Sequence, residues 1–359
     1  MAAARSARDP NLDFVRAFAI TSVMVAHLPH AWENQGAFGH GVDIFFVLSG
    51  FLIGRIFLNQ ERRGLGPLRF WSDRWFRTLP AYYFVLLGGL VVGSFIGRPW
   101  KLADFGGKLW EYLIFAQNYD VISLTRAGDP FPVSWSLCVE EQFYLVLPLL
   151  LLMARSRPAR LVLVAGVIVA APVARRVVAA DWQRFWMMTH IRFDGIGFGL
   201  LAAFLAEWRP AWMQRLRPWA RPVAAAWVAL IAARCFGWPW ALPDYLTVLN
   251  ATTALVVASC AGAPPLPLAV TAWSRWGALL AYSIYLTHTK TYGLVSGAWN
   301  ATPLRSLPPV LMVSAMFAGA LLPALALYYL VERPGLALRE RVRRRLGEPR
   351  PTHGPSSKL

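Results

Sequence analysis

Long apolar runs recur throughout this chain, separated by short stretches that hold most of its arginines. Residues 79–97 carry no charge over nineteen positions, and residues 306–331 carry none over twenty-six. A helix needs roughly 20 predominantly apolar residues to cross the hydrocarbon core of a bilayer. The pattern predicts ten spans, at 12–30, 41–58, 79–97, 137–154, 160–174, 189–208, 219–238, 244–262, 277–298 and 307–331. The run "LWEYLIFAQN" at 109–118 is too short to cross and reads as a re-entrant or interfacial segment. The expected fold class is therefore an all-α polytopic membrane protein with about ten transmembrane helices. It forms one membrane domain over residues 1–335, and residues 336–359 form a basic, disordered tail. The first ten residues are polar, and the run after them leads into "LPHAWENQG" without a small-residue cleavage site, so no cleavable signal is expected.

Composition strengthens this reading: 57% of residues are hydrophobic, 15% are charged, and the mean hydropathy is +0.43. The net charge of +17 gains a meaning from its distribution. With both termini in the cytoplasm, 24 Lys and Arg fall on the inner side and 8 on the outer, with 4 inside spans. That bias agrees with the positive-inside rule. Counting 109–118 as a further span would put the basic tail outside, against the rule. The positive charge is thus mostly topology and contact with anionic lipid; nucleic-acid binding is excluded because no folded soluble module is left to carry it. The expected localisation is a multi-pass integral protein of the cell or inner membrane.

Three isolated cysteines, Cys138, Cys235 and Cys260, show no C-x-x-C spacing, which argues against a zinc site or a disulfide framework. No metal is expected. The sequence contains no P-loop, no H-E-x-x-H and no G-x-S-x-G.

Candidate chemistry rests on polar residues inside spans, which are costly there and so mark working sites. Arg16 and His27 are eleven residues apart, about three helical turns, so they share one face and are separated by about 16 Å along the axis. Asp13 lies near the same face at i,i+3 to Arg16 and competes for its guanidinium. Asp43 enters the second span at the depth of His27. Glu140 and Glu141 of "SWSLCVEEQFY" lie at the outer end of the fourth span, and Arg192 and Asp194 of "HIRFDGIGFG" at the outer end of the sixth. Arg74 and Arg77 sit three residues apart on one helical face at the inner boundary, suited to phosphate, although ordinary positive-inside anchoring also accounts for arginines there. His288 lies within the ninth span, in "YSIYLTHTK".

Taken together, "DFVRAFAITSVMVAH", "GVDIFFVLSGFLI", "RWFRTLPAYY", "WSLCVEEQFYLVLP", "RFDGIGFG", "YSIYLTH" and "YLVERPG" resemble the acyltransferase-3 family of integral membrane O-acyltransferases. The motifs run in order over roughly residues 10–335. The resemblance implies about ten membrane helices, an acyl-CoA donor, commonly acetyl-CoA, and O-acylation of a glycan, lipid-linked sugar or secondary metabolite. The family's R-x10-H motif falls on Arg16 and His27, with His27 the expected catalytic residue. Its other recurrent polar positions fall on Asp13, Asp43, Ser49, Arg74, Arg77, Glu140 and Asp194. Some members carry an additional extracytoplasmic hydrolase-like domain after the membrane unit; here the acceptor is expected to be handled by the membrane unit itself or by a separate protein.

This chemistry fits the residue map. Transfer to a hydroxyl needs a base for the acceptor proton; His27 suits that role, with Asp43 or Glu140 expected to fix its tautomer and His288 in support. Arg16, Arg74 and Arg77 are expected to hold the phosphates of acyl-CoA. The acyl group either passes directly or rests transiently on an enzyme group. A transporter or flippase for a lipid-linked sugar or small metabolite is the competing class, because intramembrane charges are expected there too; its broken helices or inverted repeats are not visible in the sequence.

Overall fold

A computed structural model describes residues 9–28, 39–96, 105, 107–120, 131–178, 185–236 and 242–345. No strand occurs among them. In chain order the helices are α1 (Pro10–Ala26), α2 (Gly41–Arg62), α3 (Pro67–Ile96), α4 (Leu109–Leu113), α5 (Trp135–Met153), α6 (Arg157–Val177), α7 (Asp194–Trp208), α8 (Pro210–Leu216), α9 (Ala220–Cys235), α10 (Leu242–Cys260), α11 (Leu268–Asn300), α12 (Pro309–Leu327) and α13 (Arg333–Arg345). A helix lies under each of the ten predicted segments. Among the described residues, five helical stretches, built on α2, α3, α5, α6 and α12, are long and apolar enough to cross a membrane.

Several boundaries differ from the sequence expectation for identifiable reasons. α3 begins at Pro67, twelve residues before the apolar run, because "PLRFWSDRWFRT" is compatible with helix although too polar for the hydrocarbon core. The predicted sixth span opens with a 3-10 turn at Thr189–Ile191, so Arg192 stands before α7 and Asp194 is its first residue. The 109–118 run forms one five-residue helix and then a 3-10 turn at Gln117–Tyr119. Residues 333–345, most of them in the segment expected to be disordered, form α13, and residues 346–359 lie outside the described set.

Two close crossings fix the bundle. α2 and α7 meet backbone to backbone through Gly50 and Gly199: a Cβ on Gly50 would lie 2.1 Å from the Ile196 carbonyl oxygen, and one on Gly199 only 2.0 Å from that of Val47. Small residues at such contacts let apolar helices approach closely. α1 packs along α11, with Gly277 against Ala17. The start of α1 is also pinned to the end of α10. Asp9 caps α1 through the Asn11 amide at 3.0 Å and accepts from the Gly262 amide at 2.8 Å, and the Asn11 side chain donates to the Cys260 and Ala263 carbonyls. α2 is the most enclosed of the five long apolar stretches, whereas α3, α6 and α12 turn apolar residues such as Val91, Val162 and Leu322 outward. An outer surface of that kind suits lipid rather than water.

Candidate active site

α1 and α11 run side by side from the Ala17–Gly277 contact. Ten residues further along one and eleven along the other, at 1.5 Å per residue, they bring His27 and His288 to the same level, about 16 Å on. The rings meet edge to face with centroids 4.9 Å apart. His288 is fully buried, and His27, the residue that ends α1, is exposed.

Hydrogen bonding assigns the protons. His288 Nδ1 lies 2.9 Å from the Ile284 carbonyl and 3.0 Å from that of Tyr285. Carbonyls only accept, so Nδ1 carries the proton and Nε2 of the neutral ring is an acceptor. That Nε2 lies 3.3 Å from His27 Nδ1, which itself lies 2.8 Å from the Val23 carbonyl. His27 Nδ1–H is therefore shared between two acceptors, and the lone pair of His27 resides on Nε2. An exposed imidazole with an unprotonated Nε2 is arranged to take a proton.

The carboxylates expected to orient His27 are engaged by other neighbours. Asp43 pairs with Arg192 at 3.0 Å, and Arg192 lies over the Trp135 ring. Asp194 is fully buried and takes a two-pronged contact from Arg175, with Nη1 at 2.9 Å and Nη2 at 2.7 Å. Arg175 also donates to the Ile191 carbonyl and to Thr247. The sequence reading missed Arg175, which follows the predicted fifth span. The available signal was Asp194 itself: a carboxylate inside a bundle demands a cation.

Glu140 belongs to a second cluster joining α2, α3 and α5. It accepts from the Tyr144 hydroxyl at 2.7 Å, and that hydroxyl also bonds Ser49. Glu141 accepts from Thr78 at 2.7 Å. Arg74 is buried seven residues into α3, about 10 Å from its start, and faces the Tyr144 ring at 6.0 Å. Arg77, one turn on, is exposed, yet both guanidiniums lie near enough to act electrostatically on Glu140. Arg16 donates to Asp13 at 2.7 Å, the pairing that the i,i+3 spacing anticipates. Among the described residues no group of three His, Cys, Asp or Glu is placed to hold a metal ion.

Comparison with known proteins bears on this arrangement. The profile of the acyltransferase domain family matches residues 9–329. The peptidoglycan O-acetyltransferase OatA of Listeria monocytogenes is 37% identical over 152 residues, 40% of this chain and 24% of that protein. The O-acetyltransferase OatA of Staphylococcus aureus is 30% identical over 218 residues, 56% of this chain and 35% of that protein. The chain thus aligns with between a quarter and about a third of the length of these relatives. No solved structure matches it.

Proposed function

The chain belongs to the acyltransferase-3 family, and from that premise we propose that it is an integral membrane O-acetyltransferase. It takes an acetyl group from acetyl-CoA and gives it to a hydroxyl of a cell-envelope carbohydrate. The observation that carries the reading is the His27–His288 pair, which leaves an accepting Nε2 on an exposed histidine at the end of the R-x10-H helix. The named activity of the relatives supports acetyl as the group and a carbohydrate as the acceptor.

His27 Nε2 takes the proton of the acceptor hydroxyl as its oxygen attacks the thioester carbon. A C–O bond forms and the carbonyl π pair moves onto oxygen. Collapse of that intermediate breaks the C–S bond, and the CoA sulfur leaves as the thiol, taking the proton back from His27 Nε2. His288 orients His27 and accepts from its Nδ1–H, strengthening as positive charge grows on the ring. Exposed Arg77 is the cation assigned to donor phosphate, with Arg74 one turn inside it, near Glu140 and Tyr144. Arg16, bonded to Asp13, supports α1 below the histidine. Ten membrane spans with both termini cytoplasmic bring the donor from the cytoplasmic side, and the acceptor meets His27 toward the outer side. Asp43, Asp194 and Ser49 hold the helices that frame this passage. Mass spectrometry of cell-envelope carbohydrate from cells with and without the protein tests the reading. The expected result is one acetyl group per modified unit, lost with the protein. Identical spectra would refute it.

A further inference from the structure

Tyr292 lies one helical turn beyond His288 on α11, and its ring meets His288 edge to face at 5.8 Å, 86° between planes. Its other ring neighbour is Phe317 of α12, at 6.3 Å. The residue is 4% exposed. Its hydroxyl is buried and has no hydrogen-bond partner among the described residues. The other tyrosines near this part of the bundle are satisfied: Tyr285 donates to the Val133 carbonyl at 2.6 Å, Tyr282 to the Thr78 carbonyl at 2.8 Å, and Tyr144 to Glu140. A buried hydroxyl without a partner costs free energy that phenylalanine would not incur. Beside the histidine pair, such a hydroxyl is available to a partner that arrives with the substrate.

The position identifies that partner. α1 ends level with His288, while α11 continues to Asn300. Tyr292 therefore stands about 6 Å beyond His288 along α11, past the level at which α1 ends with His27. A neutral phenol donates one hydrogen bond and is suited to an oxygen that gains negative charge. Thr289, on the same side of α11 at i,i+3, also has an unpartnered hydroxyl oxygen. Its usual helical acceptor, the Tyr285 carbonyl, is already taken by His288 Nδ1, unlike those of Thr287 and Thr291, which bond back at 2.9 and 3.0 Å.

We propose that the Tyr292 hydroxyl is a catalytic residue that donates to the carbonyl oxygen of the acetyl group as it becomes an oxyanion. This rests on the acetyl-transfer reading above. When the acceptor oxygen adds to the carbonyl carbon, the π pair moves to this oxygen and is held there by the phenol proton, which is not transferred. The pair returns as the C–S bond breaks.

The test is Tyr292→Phe in the full-length purified protein, with acetyl-CoA as donor and peptidoglycan glycan strands as acceptor. Loss of one oxyanion donor costs on the order of 10²–10³ in kcat. The expected result is such a fall in kcat with the KM for acetyl-CoA unchanged. The thermal midpoint should be unchanged or higher, because an unsatisfied hydroxyl has been removed. Wild-type turnover in Tyr292→Phe overturns the proposal. So does lost turnover with a lowered midpoint, which marks a structural hydroxyl. A wild-type protein that transfers no acetyl overturns the acetyl-transfer reading and this inference with it, so the two failures are distinguishable.

Discussion

Replacing His288 by phenylalanine separates the two histidines' contributions. The substitution keeps an aromatic ring in a fully buried site and removes the acceptor facing His27. His27 Nδ1–H then retains one acceptor, the Val23 carbonyl at 2.8 Å, and loses the one at 3.3 Å. The tautomer survives, since a carbonyl still holds the proton on Nδ1, and Nε2 remains the basic nitrogen. What is lost is a long hydrogen bond, worth about 0.5–1.5 kcal/mol net in the neutral state and roughly twice that once the ring becomes an imidazolium. Only the difference between the two states, about 0.5–1.5 kcal/mol, acts on kcat, so at 1.36 kcal/mol per decade of rate His288→Phe should lower kcat by about 2- to 10-fold. His27→Ala, which removes the base itself, should cost about 10²-fold or more. Because both act through one ring, the double variant should match His27→Ala alone. Steady-state acetyl transfer by the three purified variants decides it. Unchanged kcat in His288→Phe, or losses that multiply in the double variant, would refute the coupling.

Three further outcomes follow from the packing and the charge distribution. Gly199→Ala drives a methyl into the Val47 carbonyl and should lower stability by about 1–3 kcal/mol or more, whereas Gly88→Ala, with nothing within 4 Å of its new Cβ, should be neutral or slightly stabilising; detergent-phase thermal unfolding compares them. Asp194→Asn leaves the buried Arg175 without its countercharge and should cost about 3–5 kcal/mol, while the pair Arg175→Met with Asp194→Leu should recover most of it in the same assay. A reporter fused after Lys358 should score cytoplasmic, as the excess of Lys and Arg on that side requires; an extracytoplasmic score would invert the proposed path of the donor.

Helix positions were legible because an apolar run of sufficient length is a local property, and "VLPLLLLM" or "VSAMFAGALLPALALYYLV" declares itself without reference to any neighbour. Helix ends were less so, since α3 continues through arginines and tryptophans that no apolar criterion includes. Spacing alone put Arg16 and His27 on one face and Asp13 beside Arg16, and the structure shows that last pair bonded. Partners across helices were not legible. Asp43 and Glu140 share a predicted depth with His27, but lateral position depends on where Gly50 meets Ile196 and where Gly277 meets Ala17. Those crossings give Asp43 to Arg192 and His27 to His288, while Glu140 takes the Tyr144 hydroxyl one turn along its own helix. Arg175 escaped notice because it follows the apolar run of its helix and looks like a flanking anchor, while the structure buries it completely.

The central claim is that His27 takes the proton of the acceptor hydroxyl. Transfer of labelled acetyl from acetyl-CoA to glycan strands by purified wild-type and His27→Ala proteins, with acetyl-CoA binding measured on the same preparations, tests it most directly. The account predicts that His27→Ala binds the donor as the wild type does and transfers acetyl at least about 10²-fold more slowly. Wild-type transfer by a folded, donor-binding His27→Ala protein would contradict it.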